Sequence, residues 1–124
     1  MGGAASTPTL PYSFEREILD LISDKWAMLI LNDLGPGPKR FTQLRTGLDG
    51  ISHKMLTQTL RGLERYGIVR RYVHAIVPPR VDYSLTQSGL DLLETINGLC
   101  SWSRRNRARI EAARDEYDRR VSSR

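Results

Sequence analysis

The stretch from Gly50 to Val69 carries side chains that could read base pairs. Polar and cationic residues recur there at spacings that place them on one side of a helix: His53, Lys54, Thr57, Gln58 and Arg61. Apolar residues fall on the other side: Met55, Leu56, Leu60, Leu63 and Ile68. A short helix that is fixed to a core by one side and shows donors and cations on the other suits the DNA major groove. The alternative is an ordinary solvated helix face, which this spacing alone does not exclude.

The sequence also marks the two ends of this helix. Ser52 is a typical N-cap residue, and its position would leave the first helical amides free to meet a phosphate. Gly67 is a typical stop, because glycine frees the chain to leave the helix. On the exposed side, Gln58 is suited to adenine, while Arg61 or Lys54 could pair with guanine or hold the backbone.

Polar residues elsewhere are candidates for phosphate contacts. One group lies at the start of a third helix and consists of Lys39, Arg40, Thr42 and, as its weakest member, Gln43. Such contacts position a protein on DNA without reading sequence. Arg80, beside Pro78-Pro79, is placed to reach the minor groove or a flanking phosphate. Arg70, Arg71 and His74 could help, although strand solubility explains the two arginines equally well.

Helical periodicity predicts three helices before the reading helix. Their expected inward residues are Phe14, Ile18, Leu21 and Ile22, then Trp26, Leu29, Ile30 and Leu34, then Leu44 and Leu48. A cap at Ser23-Asp24 separates the first two helices, and Gly35-Pro36-Gly37-Pro38 ends the second. Lys39-Arg40-Phe41 is expected to be extended, with Thr42 capping the third helix. Residues 1–11 are small, polar and proline-rich, which predicts a disordered tail ahead of one domain over residues 12–124.

After Gly67 the apolar period changes from 3.6 to 2. Alternation from Val69 to Val77 and again from Val81 to Leu85, around Pro78-Pro79, predicts a hairpin. A helix–turn–helix followed by a two-stranded hairpin is the winged-helix arrangement, so the expected class is mainly α with a small β wing.

The last predicted helix, residues 86–121, is capped by Thr86 and has an apolar stripe that only Asn106 interrupts. Because the distal stripe needs a covering surface, this is expected to be a dimerisation helix, with a frayed, solvated tail as the alternative. The residues expected at the dimer interface are Phe14, Ile18, Leu99, Trp102, Ile110 and Tyr117.

Composition favours one soluble domain, and the lack of catalytic motifs argues against an enzyme. The 124 residues carry a formal net charge of +5, which is compatible with a nucleic-acid partner but does not prove one. Cys100 is the single cysteine, so no internal disulfide can form and a reducing cytoplasm is expected, with Cys100 itself a buried, inert thiol. No apolar run predicts a membrane span, and the N-terminus lacks the pattern of a secretion signal. Catalytic motifs are absent, and His53, His74 and Cys100 are not at metal-ligand spacing, so no cofactor or metal is expected.

The order of these motifs resembles that of the HxlR-type regulators, a winged-helix family related to the MarR regulators. The matching segments are Asp24-Lys25-Trp26, Arg40-Phe41 with Leu44, Gly50 to Thr57, Leu60, Leu63-Glu64, Gly67, Val77 to Thr86, Gly89 and Trp102. The resemblance covers roughly residues 13–102. It implies a homodimeric DNA-binding transcription factor, often a repressor and sometimes an activator.

One departure from the family pattern concerns redox sensing. Many members have a Cys-Pro pair near the start of the first helix, where this chain has Ser13-Phe14. Serine cannot form a thiolate, so inherited oxidant sensing is not expected. The leading expectation is a homodimeric repressor on a palindromic operator. A small-molecule effector of unknown identity, held in a cleft between the first and last helices, is a further hypothesis. A winged-helix protein-interaction module that does not bind specific DNA is the alternative.

Overall fold

The computed structural model describes residues 13–123, which form six helices and three strands. In chain order these are α1 (Phe14–Ile22), α2 (Lys25–Leu34), β1 (Lys39–Arg40), α3 (Phe41–Gly47), α4 (His53–Arg65), β2 (Val69–His74), β3 (Arg80–Leu85), α5 (Gln87–Arg105) and α6 (Arg107–Ser122). The tail predicted for residues 1–11 lies outside the described residues. The chain forms two compact units, one ending at Leu93 and one beginning at Glu94.

The predicted cap of α2 at Asp24 is confirmed, and α1 has a cap of the same kind at Ser13, where only the start of a helix was expected. The Ser13 hydroxyl accepts a hydrogen bond from the amide of Arg16 at 3.3 Å, and the Asp24 carboxylate accepts one from the amide of Trp26 at 2.8 Å. Each satisfies an amide that the first turn of a helix leaves without an internal partner. The break at Ser23-Asp24 is therefore built from local side-chain chemistry.

The core of the first unit forms where α2 packs against α4. The buried side chains of α2, α3 and α4 are Ala27, Ile30, Leu31, Leu34, Leu44, Leu56, Thr59, Leu60 and Leu63. Three of the apolar residues assigned to inward faces are exposed: Phe14, Leu29 and Met55. At 100° per residue, Leu29 lies about 200° around the helix from Ala27, so α2 cannot bury both against one surface. Met55 lies at the edge of the buried face of α4. Thr59, one turn later, is buried beside the three leucines of that face.

The wing has one more strand than the two-stranded hairpin predicted. The described residues form an antiparallel sheet in the order β1-β3-β2. The extra strand, β1, pairs Lys39 with Tyr83 and Arg40 with Asp82. Thr42 is not the cap of α3, because the helix already begins at Phe41 and its N-cap is Arg40. The side chain of Gln43 accepts a hydrogen bond from the Arg40 amide at 2.8 Å and fixes this earlier start.

The hairpin is shorter than the alternating pattern predicted. β2 ends at His74, where the Ile76 amide donates to the His74 carbonyl at 2.9 Å and turns the chain. Residues 75–79 form the tip, and Val77 there is 98% exposed.

The C-terminal segment is two helices where one was predicted. α5 ends at Arg105 and α6 begins at Arg107. The side-chain amide of Asn106 donates to the Trp102 carbonyl at 2.9 Å, a local bond of the kind by which asparagine competes with helical pairing. Cys100 was predicted to be buried but is exposed. Within residues 13–123 no helix combines the length and apolarity needed to cross a bilayer.

The start of α5 is fixed by a close approach to the residue before β2. The Thr86 hydroxyl accepts from the Gly89 amide at 3.1 Å, which confirms the predicted cap. A β-carbon at Gly89 would overlap the Ile68 carbonyl oxygen, whereas one at Gly98, on the same helix, would meet nothing within 4 Å.

We predict opposite effects of the same substitution at these two glycines. Gly89→Ala should lower the free energy of unfolding by about 1–3 kcal/mol or more, because backbone atoms must move. Gly98→Ala should raise it by about 0.5–1 kcal/mol, because alanine loses less entropy in a helix. Urea unfolding followed by circular dichroism measures both. Equal stability of the Gly89→Ala variant and the wild type would contradict the close approach.

Candidate nucleic-acid interface

The helix α4 is closed at both ends as the sequence predicted. The Ser52 hydroxyl accepts from the Met55 amide at 3.0 Å. At the other end the Ile68 amide donates to the Leu63 carbonyl at 2.9 Å, and the Gly67 amide donates to the Glu64 carbonyl at 3.0 Å. This pair of bonds is the Schellman motif, and Gly67 supplies its left-handed residue with φ +72°. The ends of α4 are therefore defined by its own sequence.

Burial fixes which side of α4 faces solvent. Because Leu56, Leu60 and Leu63 are fully buried, the opposite side must point outward. Four of the five predicted polar residues of the helix are exposed: His53, Lys54, Gln58 and Arg61. Ser52, the cap, is exposed too, while Thr57 is half-buried and its hydroxyl donates to the His53 carbonyl at 2.8 Å. The structure thus brings these side chains together on one surface.

The ring of His53 is partly engaged inside the protomer. Its centroid lies 4.9 Å from that of Phe41, the first residue of α3. The contact joins the starts of the two helices of the helix–turn–helix. It also limits how far the imidazole can extend from the surface.

A polar cleft flanks α4 on the side of the sheet. It measures about 380 Å³ and is lined by Thr57, Arg61, Glu64, Arg71 and Tyr83. The sequence placed Arg71 on a strand without linking it to α4, because that proximity arises only when β2 packs against the helix.

Arg80 is held in place by a carboxylate that sequence reasoning missed. Its Nε lies 3.1 Å from Asp82 Oδ1 and its Nη2 lies 3.0 Å from Asp82 Oδ2. His74 Nε2 lies 2.7 Å from the same Oδ2. From the sequence, Arg80 was expected to be a free cation. The i, i+2 spacing of Arg80 and Asp82 places both on one face of a strand and could have indicated the ion pair.

These contacts change the electrostatics of the wing. Hydrogen bonds from Arg80 and then from His74, together with the nearby positive charge, lower the pKa of Asp82 to about 2. The hydrogen bond to Asp82 in turn raises the pKa of Arg80. At neutral pH the wing therefore carries a fixed, charged Arg80–Asp82 fork.

The four candidates near α3 differ in how free they are, and the side-chain oxygen of Gln43, the weakest of them, already accepts the Arg40 amide. Lys39 Nζ lies 2.7 Å from Asp33 Oδ1 in a partly buried ion pair, so its positive charge is already neutralised within the protomer. Arg40 and Thr42 are exposed.

The residues expected at a dimer interface fall in both units. In the first, Phe14 is 65% exposed and Ile18 is half-buried. In the second, the exposed apolar residues include Leu99, Trp102, Ile110 and Tyr117. Among the residues described, no group of three or more His, Cys, Asp or Glu side chains is placed to hold a metal ion.

The Asp82 contacts generate a pH prediction. A carboxyl whose pKa is lowered by folding stabilises the protein above its unfolded pKa of 3.8, and this contribution is lost as the pH falls toward about 2. Asp82→Asn should therefore be less stable than wild type at pH 5, and the difference should shrink between pH 4 and pH 2. Urea unfolding at each pH measures this. Asp49→Asn, in the exposed turn before α4, is the control, and a difference for Asp82→Asn that stays constant to pH 2 would contradict the prediction.

Comparison with known proteins places this geometry in a family. The HxlR-like helix-turn-helix family matches residues 21–111. YtfH of Escherichia coli K12, an HTH-type transcriptional regulator, is 41% identical over 101 residues, covering 82% of this chain and 80% of YtfH. YdeP of Bacillus subtilis 168, another HTH-type regulator, is 41% identical over 104 residues, covering 82% and 81%.

A solved structure agrees with these sequence matches. The transcriptional regulator ytfH from Salmonella typhimurium superposes with a TM-score of 0.71 at 36% identity, covering 84% of this chain and 93% of that one. The family match over residues 21–111 spans the helix–turn–helix and the wing, so sequence and fold lead to the same assignment. The chain belongs to the HxlR-like helix-turn-helix family of DNA-binding transcriptional regulators and is not an enzyme.

Proposed function

We propose that the protein is a homodimeric, sequence-specific repressor that binds an inverted-repeat operator. The observation that carries this proposal is the outward side of α4, where Lys54, Gln58 and Arg61 stand exposed on a helix whose other side is core. A capped and buried helix loses little further freedom on binding, so its contacts can serve affinity and specificity.

Base reading is assigned to the middle of α4. The amide of Gln58 matches the donor and acceptor edge of adenine, and the guanidinium of Arg61 matches that of guanine. Lys54, one turn earlier, holds the backbone or a guanine. His53 is assigned a smaller role, because its ring packs on Phe41.

Phosphate contacts are assigned to the wing and to the start of α3. Arg80 is charged and held in a fixed plane by Asp82, as a positioning contact requires. Arg40 and Thr42 are the exposed groups near α3, whereas Lys39 contributes less because it is paired with Asp33.

Pairing of two protomers is assigned to the exposed apolar residues. On α5, Leu99 is 60% exposed and Trp102, one turn later, is 48% exposed, and large apolar side chains exposed on neighbouring turns usually mark an interaction surface. Two-fold pairing of helix–turn–helix proteins presents two reading helices to half-sites about 10 base pairs apart. Repression follows from occupying the operator. An effector that changed the spacing of the two α4 helices would release the DNA.

The α4 assignment predicts selective loss of binding. We expect Lys54→Ala and Arg61→Ala each to weaken binding to a duplex selected from random sequence by about 10-fold, equivalent to about 1.4 kcal/mol. Arg119→Ala removes the same charge from α6, on the side opposite Tyr117, and should change affinity less than about twofold. Fluorescence anisotropy at fixed salt measures all three. If charge reversal at Arg61 leaves affinity for that duplex unchanged, α4 is not the reading helix; if no duplex is selected and charge reversal on α4 is tolerated, the interaction-module alternative is favoured.

Phosphate contacts predict a steep salt dependence. If the dimer neutralises about six phosphates or more, affinity should fall about 1,000-fold or more between 50 and 200 mM salt. The slope of log affinity against log salt measures the number of contacts. A flat response would argue against a DNA-binding role for the wing and α3.

The dimer assignment predicts that one charge on α5 separates the protomers. Leu99→Glu should give a monomer in sedimentation equilibrium, because a carboxylate cannot be buried there without a partner. Asn97→Glu, on the other side of the same helix, should remain a dimer. Circular dichroism confirms that both variants are folded. A Leu99→Glu variant that still sediments as a dimer would show that another surface pairs the protomers.

A further inference from the structure

A groove separates the start of α3 from the tip of the wing. It has a volume of about 470 Å³, and its walls are lined by Arg40, Phe41, Thr42, Ile76, Pro78, Pro79, Arg80 and Val81. Its walls are mainly apolar, and among the described residues that line it only Arg40 and Arg80 are charged.

The sheet register places these two arginines on the same face. Arg40 lies directly opposite Asp82, and Arg80 is two residues from Asp82 on β3. Because side chains alternate along a strand, all three share one face. The other face holds the buried Tyr83, so the arginine face is directed to solvent. Diagonal neighbours in an antiparallel pair lie about 7–8 Å apart, a distance that two arginine side chains can close around one anion.

The guanidinium of Arg80 presents a defined edge to the groove. Its bonds to Asp82 use Nε and Nη2, which form the side-on edge of the group. Arg80 has five N–H donors. The two on Nη1 and one on Nη2 are not used by Asp82 and belong to the end-on part of the guanidinium. The Arg40 guanidinium forms no ion pair with any residue from 13 to 123. Two donor groups therefore stay available in the same groove.

The groove is continuous with the reading helix. Phe41 lines it and also packs against His53, the first residue of α4. A duplex read by α4 in its major groove must pass one backbone strand between that groove and the next minor groove. A strand there would meet the arginines with its phosphate and the apolar walls with its sugars. A small free anion would use the arginines alone and leave Phe41, Pro78 and Pro79 uncovered.

We propose that this groove seats one backbone strand of the operator, with a single phosphate held jointly by Arg40 and Arg80. The inference rests on the proposed DNA-binding function and adds a specific contact to it. Sharing one phosphate fixes the wing relative to α4 on the duplex, so that the minor-groove and major-groove contacts keep one register. The exposed tip at Val77 then lies beside the minor groove.

The test scans the operator with single methylphosphonate substitutions, each of which removes one phosphate charge. With wild-type protein, the phosphate seated in the groove, one per half-site, should be among the positions whose substitution weakens binding, by about 10-fold. Arg40→Ala and Arg80→Ala should each weaken binding to unmodified DNA by about the same factor and become insensitive, within about twofold, to substitution at that same position. The double variant should bind no more than about threefold weaker than either single variant.

Arg70→Ala is the matched control. Arg70 pairs with Ser84 and so lies on the same face of the sheet, but it does not line the groove. This variant should remain sensitive to the critical phosphate. Arg40→Ala disturbs no ion pair of the described residues, which keeps the result independent of the Asp82 contact.

The outcomes separate this inference from the proposed function. If the arginine variants map to two different phosphates, or if their effects simply multiply, the shared seat is wrong. If the wild type binds and Arg61→Ala weakens it, yet no phosphate couples to both arginines, only this inference fails. Failure of the wild type to select any duplex from a random pool would overturn the proposed function and the groove assignment together.

Discussion

Burial of one side of α4 is the constraint on which the rest of the structure depends. Leu56, Leu60 and Leu63 are taken out of water where α2 packs against the helix, and each contributes about 1.5–3 kcal/mol of apolar burial. Rotating α4 by even one residue would expose these leucines, so the direction of its polar side is fixed by the hydrophobic effect. The hydrogen bonds at Ser52 and Gly67 fix its length. The polar side chains are thus placed by forces that do not act on them directly.

Features that depend on neighbours along the chain could be predicted from sequence. The caps at Asp24 and Ser52, the stop at Gly67 and the hairpin around Pro78-Pro79 follow from local chemistry, and the structure confirms each of them. Features that depend on distant pairing could not. The joining of Lys39-Arg40 to β3 requires the register with Tyr83 and Asp82, more than forty positions along the chain, and two residues are too short to show a strand period. The exposure of Leu29 likewise depends on which side of α2 meets α4.

The same distinction applies to the charged residues. Sequence counts a cation wherever lysine or arginine occurs, but folding neutralises some of them. Lys39 is paired with Asp33 and Arg80 with Asp82, whereas Lys54 and Arg61 stand exposed on α4. A surface ion pair contributes little to stability on its own. In the wing its main effect is on geometry, because a bidentate fork restricts the rotation of a long side chain. The carboxylate that lowers the net positive charge of the wing is therefore also the group that orients its arginine.

The backbone amide and carbonyl of Ile68 connect three elements, α4, β2 and the start of α5. Its amide closes the end of α4 on Leu63, and its carbonyl accepts the amide of Thr86 at 3.0 Å, just before α5. The missing side chain of Gly89 allows α5 to approach that carbonyl so closely. Any tilt of the first turn of α5 must therefore either break these hydrogen bonds or move the end of α4 and the beginning of β2 with it. A movement of the first turn of α5 would consequently rotate α4 and its recognition surface as a rigid body, because no flexible loop lies between these hydrogen bonds.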